Sequence, residues 1–207
     1  MVITWHGEGC FKFQNGDVSV LTDLPESVSG ISAPRFKTDV YLKTITPWPT
    51  DYTNTNAQMT VVGAGDYDTK GIKIKGFELT SESSKNFFKT VYLLKWDDIS
   101  IGILGHISGD LPPNAMEDFE ELDILIGPSG GDPFISQEKA IKLIRQLNPK
   151  IFIPSFYKIP GLKRKTSDLK DFTSQFNGDV QKPEEKFVFK KKDLAEIKKT
   201  KVICLTV

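Results

Sequence analysis

Short runs of alternating apolar and polar residues open the chain. Val2–Trp5, Cys10–Gln14 and Val18–Thr22 are rich in Val, Ile, Phe and Thr, with Gly7-Glu8-Gly9 and Asn15-Gly16-Asp17 between them. Asn-Gly between two alternating runs predicts a tight hairpin, because both central residues of a type I′ turn need positive φ. The chain is therefore expected to begin as a β-meander that ends at Thr22-Asp23-Leu24-Pro25. A polar loop, Glu26 to Lys37, leads to a predicted strand at Asp39–Lys43 and then to the loop Thr44-Ile45-Thr46-Pro47-Trp48-Pro49-Thr50. Gln58–Val62 and Gly71–Phe77 read as strands on either side of a turn at 63–68, and Thr90–Trp96 with Ser100–Leu104 as a hairpin about Asp97-Asp98.

The second half changes period. Asp123–Ile126 is a short apolar strand followed by Gly127-Pro128-Ser129-Gly130-Gly131. Residues 136–147 then read as a helix with Ala140, Ile141, Ile144 and Leu147 on one face, Ser136 as N-cap and Asn148-Pro149 as the stop. A strand at Lys150–Pro154, a helix at Ser167–Phe176 capped by Thr166 or Ser167, a strand at Lys186–Phe189, a short helix at Asp193–Lys198 and a strand at Val202–Thr206 close the chain. Strands in meander order followed by β-α-β units predict an α/β (α+β) protein, with mixed sheets covered by helices on their outer faces.

Composition narrows the class. With 207 residues, 39% hydrophobic and 26% charged, the chain reads as a single domain over residues 1–207. No run approaches the roughly 18 apolar residues of a membrane-spanning helix. The start, Met1 to His6, lacks the charged and apolar regions of a signal peptide, so a cytoplasmic protein is expected. Cys10 and Cys204 each lie in an apolar strand-like run and read as two buried free thiols. The 27 Lys/Arg balance the 27 Asp/Glu, yet residues 150–207 hold fourteen basic against seven acidic side chains. That tail is net +7 and the rest net −7. It reads as a solvated basic face, with a nucleic-acid surface as the competing possibility.

These segments carry a resemblance. The opening Ile3-Thr4-Trp5-His6-Gly7 with Cys10-Phe11, the turn Leu21-Thr22-Asp23-Leu24-Pro25, Gly63-Ala64-Gly65-Asp66-Tyr67-Asp68, Asp123-Ile124-Leu125-Ile126-Gly127-Pro128 with Gly130-Gly131, and Ile153-Pro154 through Tyr157-Lys158-Ile159-Pro160 are similar, in order and spacing, to small bacterial proteins of the metallo-β-lactamase superfamily. The resemblance covers nearly the whole chain and implies a four-layer αβ/βα sandwich. It also implies a metal-dependent hydrolase whose ligands come from a T-H-x-H-x-D-H loop. Laid on from Asp39, the Thr falls on Thr44 and the four ligand positions on Ile45, Pro47, Pro49 and Thr50. The bridging Asp falls on His106 and the last His on Phe156.

A hydrolytic zinc site needs three or four imidazole or carboxylate ligands and an open position for water. Two histidines in the whole chain do not supply that set. No catalytic residue and no cofactor are therefore assigned. The expected function is that of a catalytically inactive, pseudo-hydrolase member that works as a binding or structural partner. Two alternatives stay open: a metal-dependent hydrolase with a non-standard zinc site drawn from His6, Asp23, His106 and Asp110, and a nucleic-acid-binding protein of this fold. Trp48, Tyr52, Phe134, Phe156 and Tyr157 are the candidate binding residues at the former active-site edge, for a protein partner or a second copy. Trp48 has two readings, an exposed anchor or a plug packed against Phe156.

Overall fold

The Asn15-Gly16 signal holds. The computed structural model describes residues 1–50 and 56–207, and in it Gly16 takes φ 57° between two antiparallel strands. The first of these pairs with the opening strand as well, giving β1 (Val2–Trp5), β2 (Phe11–Asn15) and β3 (Val18–Thr22) in meander order. The chain continues through β4 (Thr38–Lys43), β5 (Ile45–Pro47), β6 (Ala57–Val62), β7 (Gly65–Thr69), β8 (Ile72–Glu78), β9 (Phe87–Trp96) and β10 (Ile99–Ile103). Beyond these lie α1 (Pro113–Asp118), β11 (Ile124–Pro128), α2 (Gln137–Leu147), β12 (Ile151–Ser155), α3 (Leu169–Phe176), β13 (Asp179–Glu184), β14 (Lys186–Val188), α4 (Lys191–Ala195) and β15 (Lys201–Leu205).

Two mixed sheets result. The first runs β14-β1-β2-β3-β4-β6, antiparallel through the meander and parallel from β3 onward. The second runs β13-β15-β12-β11-β10-β9-β8-β7, with β5 attached to β9. Their facing sides bury one core, in which Ile3, Phe11, Phe13, Val40 and Leu42 meet Ile72, Tyr92, Leu94, Ile124 and Ile153. The outer side of the second sheet is covered by helices: Ala140, Ile144 and Leu147 of α2 and Phe172 and Phe176 of α3 pack with Leu125, Phe152 and Val202. Outside the first sheet lies a loop layer, where Leu24 and Phe36 cover Cys10, Leu21 and Tyr41. Cys10 and Cys204 are both free and buried. No helix among the described residues is long and apolar enough to cross a membrane.

Several boundaries differ from the pattern-based expectation for local reasons. Residues 65–69 are not a plain turn but β7, paired with β8, and the reversal falls instead at Lys70-Gly71, both at positive φ. The helix expected from Ser167 starts at Leu169, with extended Asp168 rather than Thr166 or Ser167 at its N-cap; Ser167 belongs to the preceding loop, its amide donating to the Gly130 carbonyl at 2.8 Å. The helix expected from Asp193 starts two residues earlier, since the Asp193 carboxylate accepts from the Lys190 amide at 2.7 Å and so serves the first turn from inside it. The supposed loop after Thr44 is also ordered: Ile45 pairs with Lys89 and Pro47 with Phe87, which bridges the two sheets at one edge.

Candidate functional site

The edge bridged by β5 carries a cleft of about 420 Å³. Its floor begins at Asp23, directly after β3, whose buried carboxylate accepts from the Thr44 amide at 2.8 Å and lies 2.5 Å from the Thr44 hydroxyl oxygen. The same hydroxyl oxygen lies 2.8 Å from His106 Nδ1. Gly105 makes the approach possible: it takes φ 51°, and a Cβ there would stand 2.1 Å from the Thr44 oxygen. Behind it, Glu82 fixes the loop that carries His106 by accepting from the Ser108 and Gly109 amides at 2.7 and 2.6 Å, and from Lys89 at 2.9 Å.

One hydroxyl proton cannot serve both of its neighbours, so the second proton of the relay must sit on Asp23 or on His106 Nδ1. Burial settles the preference. It raises the Asp23 carboxyl to about 7 against the opposing Thr44 hydrogen bonds and the charge of Lys43. Burial also lowers the His106 imidazole to about 3, helped by the nearby charges of Arg164 and Lys89. The two groups are 3.7 Å apart, near enough for an ion pair, but both shifts run toward the neutral forms. At mildly acidic pH the relay is therefore a neutral acid, a hydroxyl and a neutral imidazole.

Aromatic rings close the other side. Phe156 follows β12, is 2% exposed, and packs on Phe134 at 4.2 Å and His106 at 4.8 Å between ring centroids. Its φ of 53° is uncommon for a bulky residue. Gly9 faces it, where a Cβ would meet the tip of the ring at 2.6 Å. Arg164 reaches back from the following loop, donating from Nε to buried Glu8 at 2.8 Å with its guanidinium 5.5 Å from the Phe134 ring.

The proposed site residues thus separate. Asp23 and His106 meet through Thr44, but His6 packs on Phe36 with Nε2 3.4 Å from the Thr4 hydroxyl, and Asp110 is a solvent-facing partner of Lys139 at 3.8 Å. Neither of these two lines the cleft. Trp48 is 65% exposed and does not line the cleft walled by Phe156, so the plug reading of this residue is corrected. Phe134 and Phe156 are buried, Phe156 as part of the cleft's wall and Phe134 packed against it, so neither is a contact surface. Tyr157 belongs to the inter-sheet core: its ring lies 4.6 Å from that of Trp5 and its hydroxyl donates to the Leu205 carbonyl at 2.6 Å. Tyr52 lies outside the described residues. Arg164, within the tail read from sequence as a solvated basic face, is a cleft residue; between Lys163 and Lys165, and 156 positions from its Glu partner, it carries no sequence signal of its own.

A family model described as a beta-lactamase superfamily domain matches residues 2–155. The chain belongs to the metallo-β-lactamase superfamily. Solved structures of the fold agree. A Thermotoga maritima protein assigned to the Zn-dependent hydrolases of the superfamily superposes with a TM-score of 0.80 at 24% identity, covering 99% of this chain and 97% of its own. Igni18, a metallo hydrolase from Ignicoccus hospitalis, superposes with a TM-score of 0.67 at 16% identity, over 91% of this chain and 99% of its own. The isothiocyanate hydrolase from Delia radicum gut bacteria gives 0.58 at 10% identity, over 98% and 96%. At these identities the likeness is one of fold. A search of curated proteins finds no significant match.

The donor set at this superfamily member's cleft does not fit a hydrolytic metal. Ile45 and Phe156 are hydrocarbon, Pro47 and Pro49 have no donor atom, and the hydroxyl of Thr50 lies 3.3 Å from the Pro47 carbonyl. Asp23 and His106 are turned toward Thr44. Among the described residues no three His, Cys, Asp or Glu side chains gather where they could hold a metal ion.

Proposed function

We propose that this member of the superfamily binds rather than hydrolyses, and that the edge around the former metal site is its working surface. The observation that carries the reading is the chemistry of the ligand positions: Ile45, Pro47, Pro49, Thr50 and Phe156 offer no imidazole or carboxylate, and hydrolysis in this fold requires those groups to hold the metal that activates water. Beside them, Trp48, the residue after β5, projects into solvent at 65% exposure, its amide donating to the Asn86 carbonyl at 2.7 Å. A large amphipathic side chain on a held backbone loses little entropy on association, which suits an interface anchor for a protein partner or a second copy. The metal-dependent alternative and the nucleic-acid alternative have no comparable observation at the cleft.

Elemental analysis of purified protein tests the reading. Less than about a tenth of an equivalent of zinc, iron or manganese, with a Tm unmoved by chelator, is the expected result, since a metal bound only to the native state would raise stability. One chelator-removable metal per chain would overturn it. Trp48→Ala should weaken capture of a partner or self-association while the fold persists.

A further inference from the structure

We infer that the cleft is a binding site for a small organic anion, a carboxylate or phosphate ester with an apolar body, held by Arg164, His106 and Lys43. The inference rests on the reading of the cleft as a binding site and names what it takes.

Two of the cleft's three acids are spent on the protein, and its donors are not. Asp23 is engaged twice by Thr44, and Glu8 takes the Nε of Arg164. Glu26, the third acid, is exposed at the rim. Among the described residues, by contrast, no protein group takes either terminal nitrogen of Arg164, the Nε2 of His106 or the Nζ of Lys43, and all three residues line the cleft. The Glu8 bond and the Phe134 ring fix the guanidinium in one plane, so its two outer nitrogens form a fork already oriented for an oxyanion. His106 is fixed in the same way through Nδ1. Its Nε2 carries the ring hydrogen whenever Thr44 donates to Nδ1, which makes it a third donor.

Apart from Asn86 and Tyr41, the remaining side chains are apolar: Leu24, Ile45, Pro47, Phe87 and Phe156. A volume of about 420 Å³ falls in the range of small-molecule sites. A few oriented donors on one side of an apolar pocket select a ligand with one charged group and a compact hydrocarbon part. A free sulfate-like ion would leave the apolar wall unused, and a neutral aromatic would leave the guanidinium unpaired.

The chain has two histidines, so its imidazole signals can be followed one by one. Phenyl phosphate, benzoate, inorganic phosphate and benzyl alcohol are titrated at pH 6 into 15N-labelled protein, with His6→Gln assigning the signals. Saturable movement of the His106 signal by phenyl phosphate or benzoate, at least tenfold tighter than by benzyl alcohol and inorganic phosphate, is expected. Whichever of the two anions binds tighter assigns the group. Arg164→Lys, which keeps the charge beside Glu8 but loses the fork, should weaken binding about tenfold, and Lys43→Met severalfold. A still His106 signal, equal binding of benzyl alcohol, or unchanged affinity in both variants overturns the inference. Release of phenol from phenyl phosphate would overturn the non-catalytic reading of the preceding section while leaving the anion site in place.

Discussion

Two aspartates in this fold are almost equally buried and live under opposite rules. Asp123, just before β11, is 3% exposed and holds four donors: Lys150 at 2.7 Å, Lys191 at 2.6 Å, and the amide and hydroxyl of Ser100 at 3.0 and 3.3 Å. Its carboxyl is held below the usual range, because these donors outweigh burial, the largest single influence, which alone would raise it. Asp23, 7% exposed, has only Thr44 to satisfy it directly and is raised to about 7. The two lie at opposite ends of the second sheet's parallel strands, since Lys150 precedes β12 and Phe156 follows it. Where the chain needs only a fixed strand end, it surrounds the carboxylate with cations. At the cleft the cations stand nearby but point elsewhere, and the acid keeps its proton.

The largest test of this contrast is the pH dependence of stability in Asp23→Asn. Asp23 has a folded pKa above its unfolded value of 3.8, so the folded state binds the extra proton. Stability from this residue is then lost as pH rises from about 4 to about 7, in the opposite sense to an ordinary paired carboxylate. The variant, which mimics the neutral acid, should match wild type near pH 4 and exceed it at pH 8 by up to about 4 kcal/mol, from roughly three pK units. Urea unfolding across that range reads it. A variant less stable than wild type at pH 8 would mean that the ionised form is the one the fold prefers.

Asp123→Ala is the opposite break. It leaves Lys150 without its carboxylate and Lys191 with only the Asp98 carbonyl, both a third to a half exposed, and strips the Ser100 amide of its acceptor. A loss of about 2–3 kcal/mol at pH 7 is expected from charged hydrogen bonds of this kind. The wild-type contribution should be full above the unfolded carboxyl pKa and fade as pH falls through the lower folded one. Equal stability of wild type and variant at pH 7 would remove the structural role.

Little of this contrast is legible in the sequence. Both aspartates sit beside apolar strands, and what separates them is the arrival of Lys150, Lys191 and Thr44 from up to 68 positions away. The opening meander and the helix 137–147 were readable because their signals are local: alternation, Asn-Gly, a Ser cap and an Asn stop. Strand β5 was missed because Thr-Pro-Trp-Pro reads as a loop, and only pairing with β9 makes it a strand. Trp48 and Phe156, both large and apolar, look alike on paper. One is 65% exposed and the other 2%. Phe156→Ala should therefore cost about 3–5 kcal/mol as a buried truncation, whereas Trp48→Ala should stay within about 1 kcal/mol as a surface change. A thermal melt in which Trp48→Ala falls as far as Phe156→Ala would contradict the placement of Trp48.

The smallest expected effect is a change of tautomer with almost no change in stability, and it probes the Asp23 side of the comparison alone. Below about pH 7 a protonated Asp23 is expected to donate to the Thr44 oxygen, 2.5 Å away, so that Thr44 donates to His106 Nδ1 and the hydrogen of the ring sits on Nε2. Above it, the ionised carboxylate draws the Thr44 proton to itself. The Thr44 oxygen then accepts from Nδ1–H, and Nε2 is left with a lone pair. Imidazole 15N shifts distinguish the two forms directly, and His6, whose neighbours are Thr4, Phe36 and Lys12, serves as the internal control. The exchange should be centred near pH 7, persist in Asp123→Ala, and vanish in Asp23→Asn, whose oxygen accepts from the Thr44 amide and whose Nδ2 can then only donate to the Thr44 hydroxyl. If Nε2 keeps its hydrogen to pH 9 in wild type, or the exchange survives in Asp23→Asn, then Asp23 and His106 are neighbours without being coupled. The cleft would then hold two independent neutral groups instead of one relay.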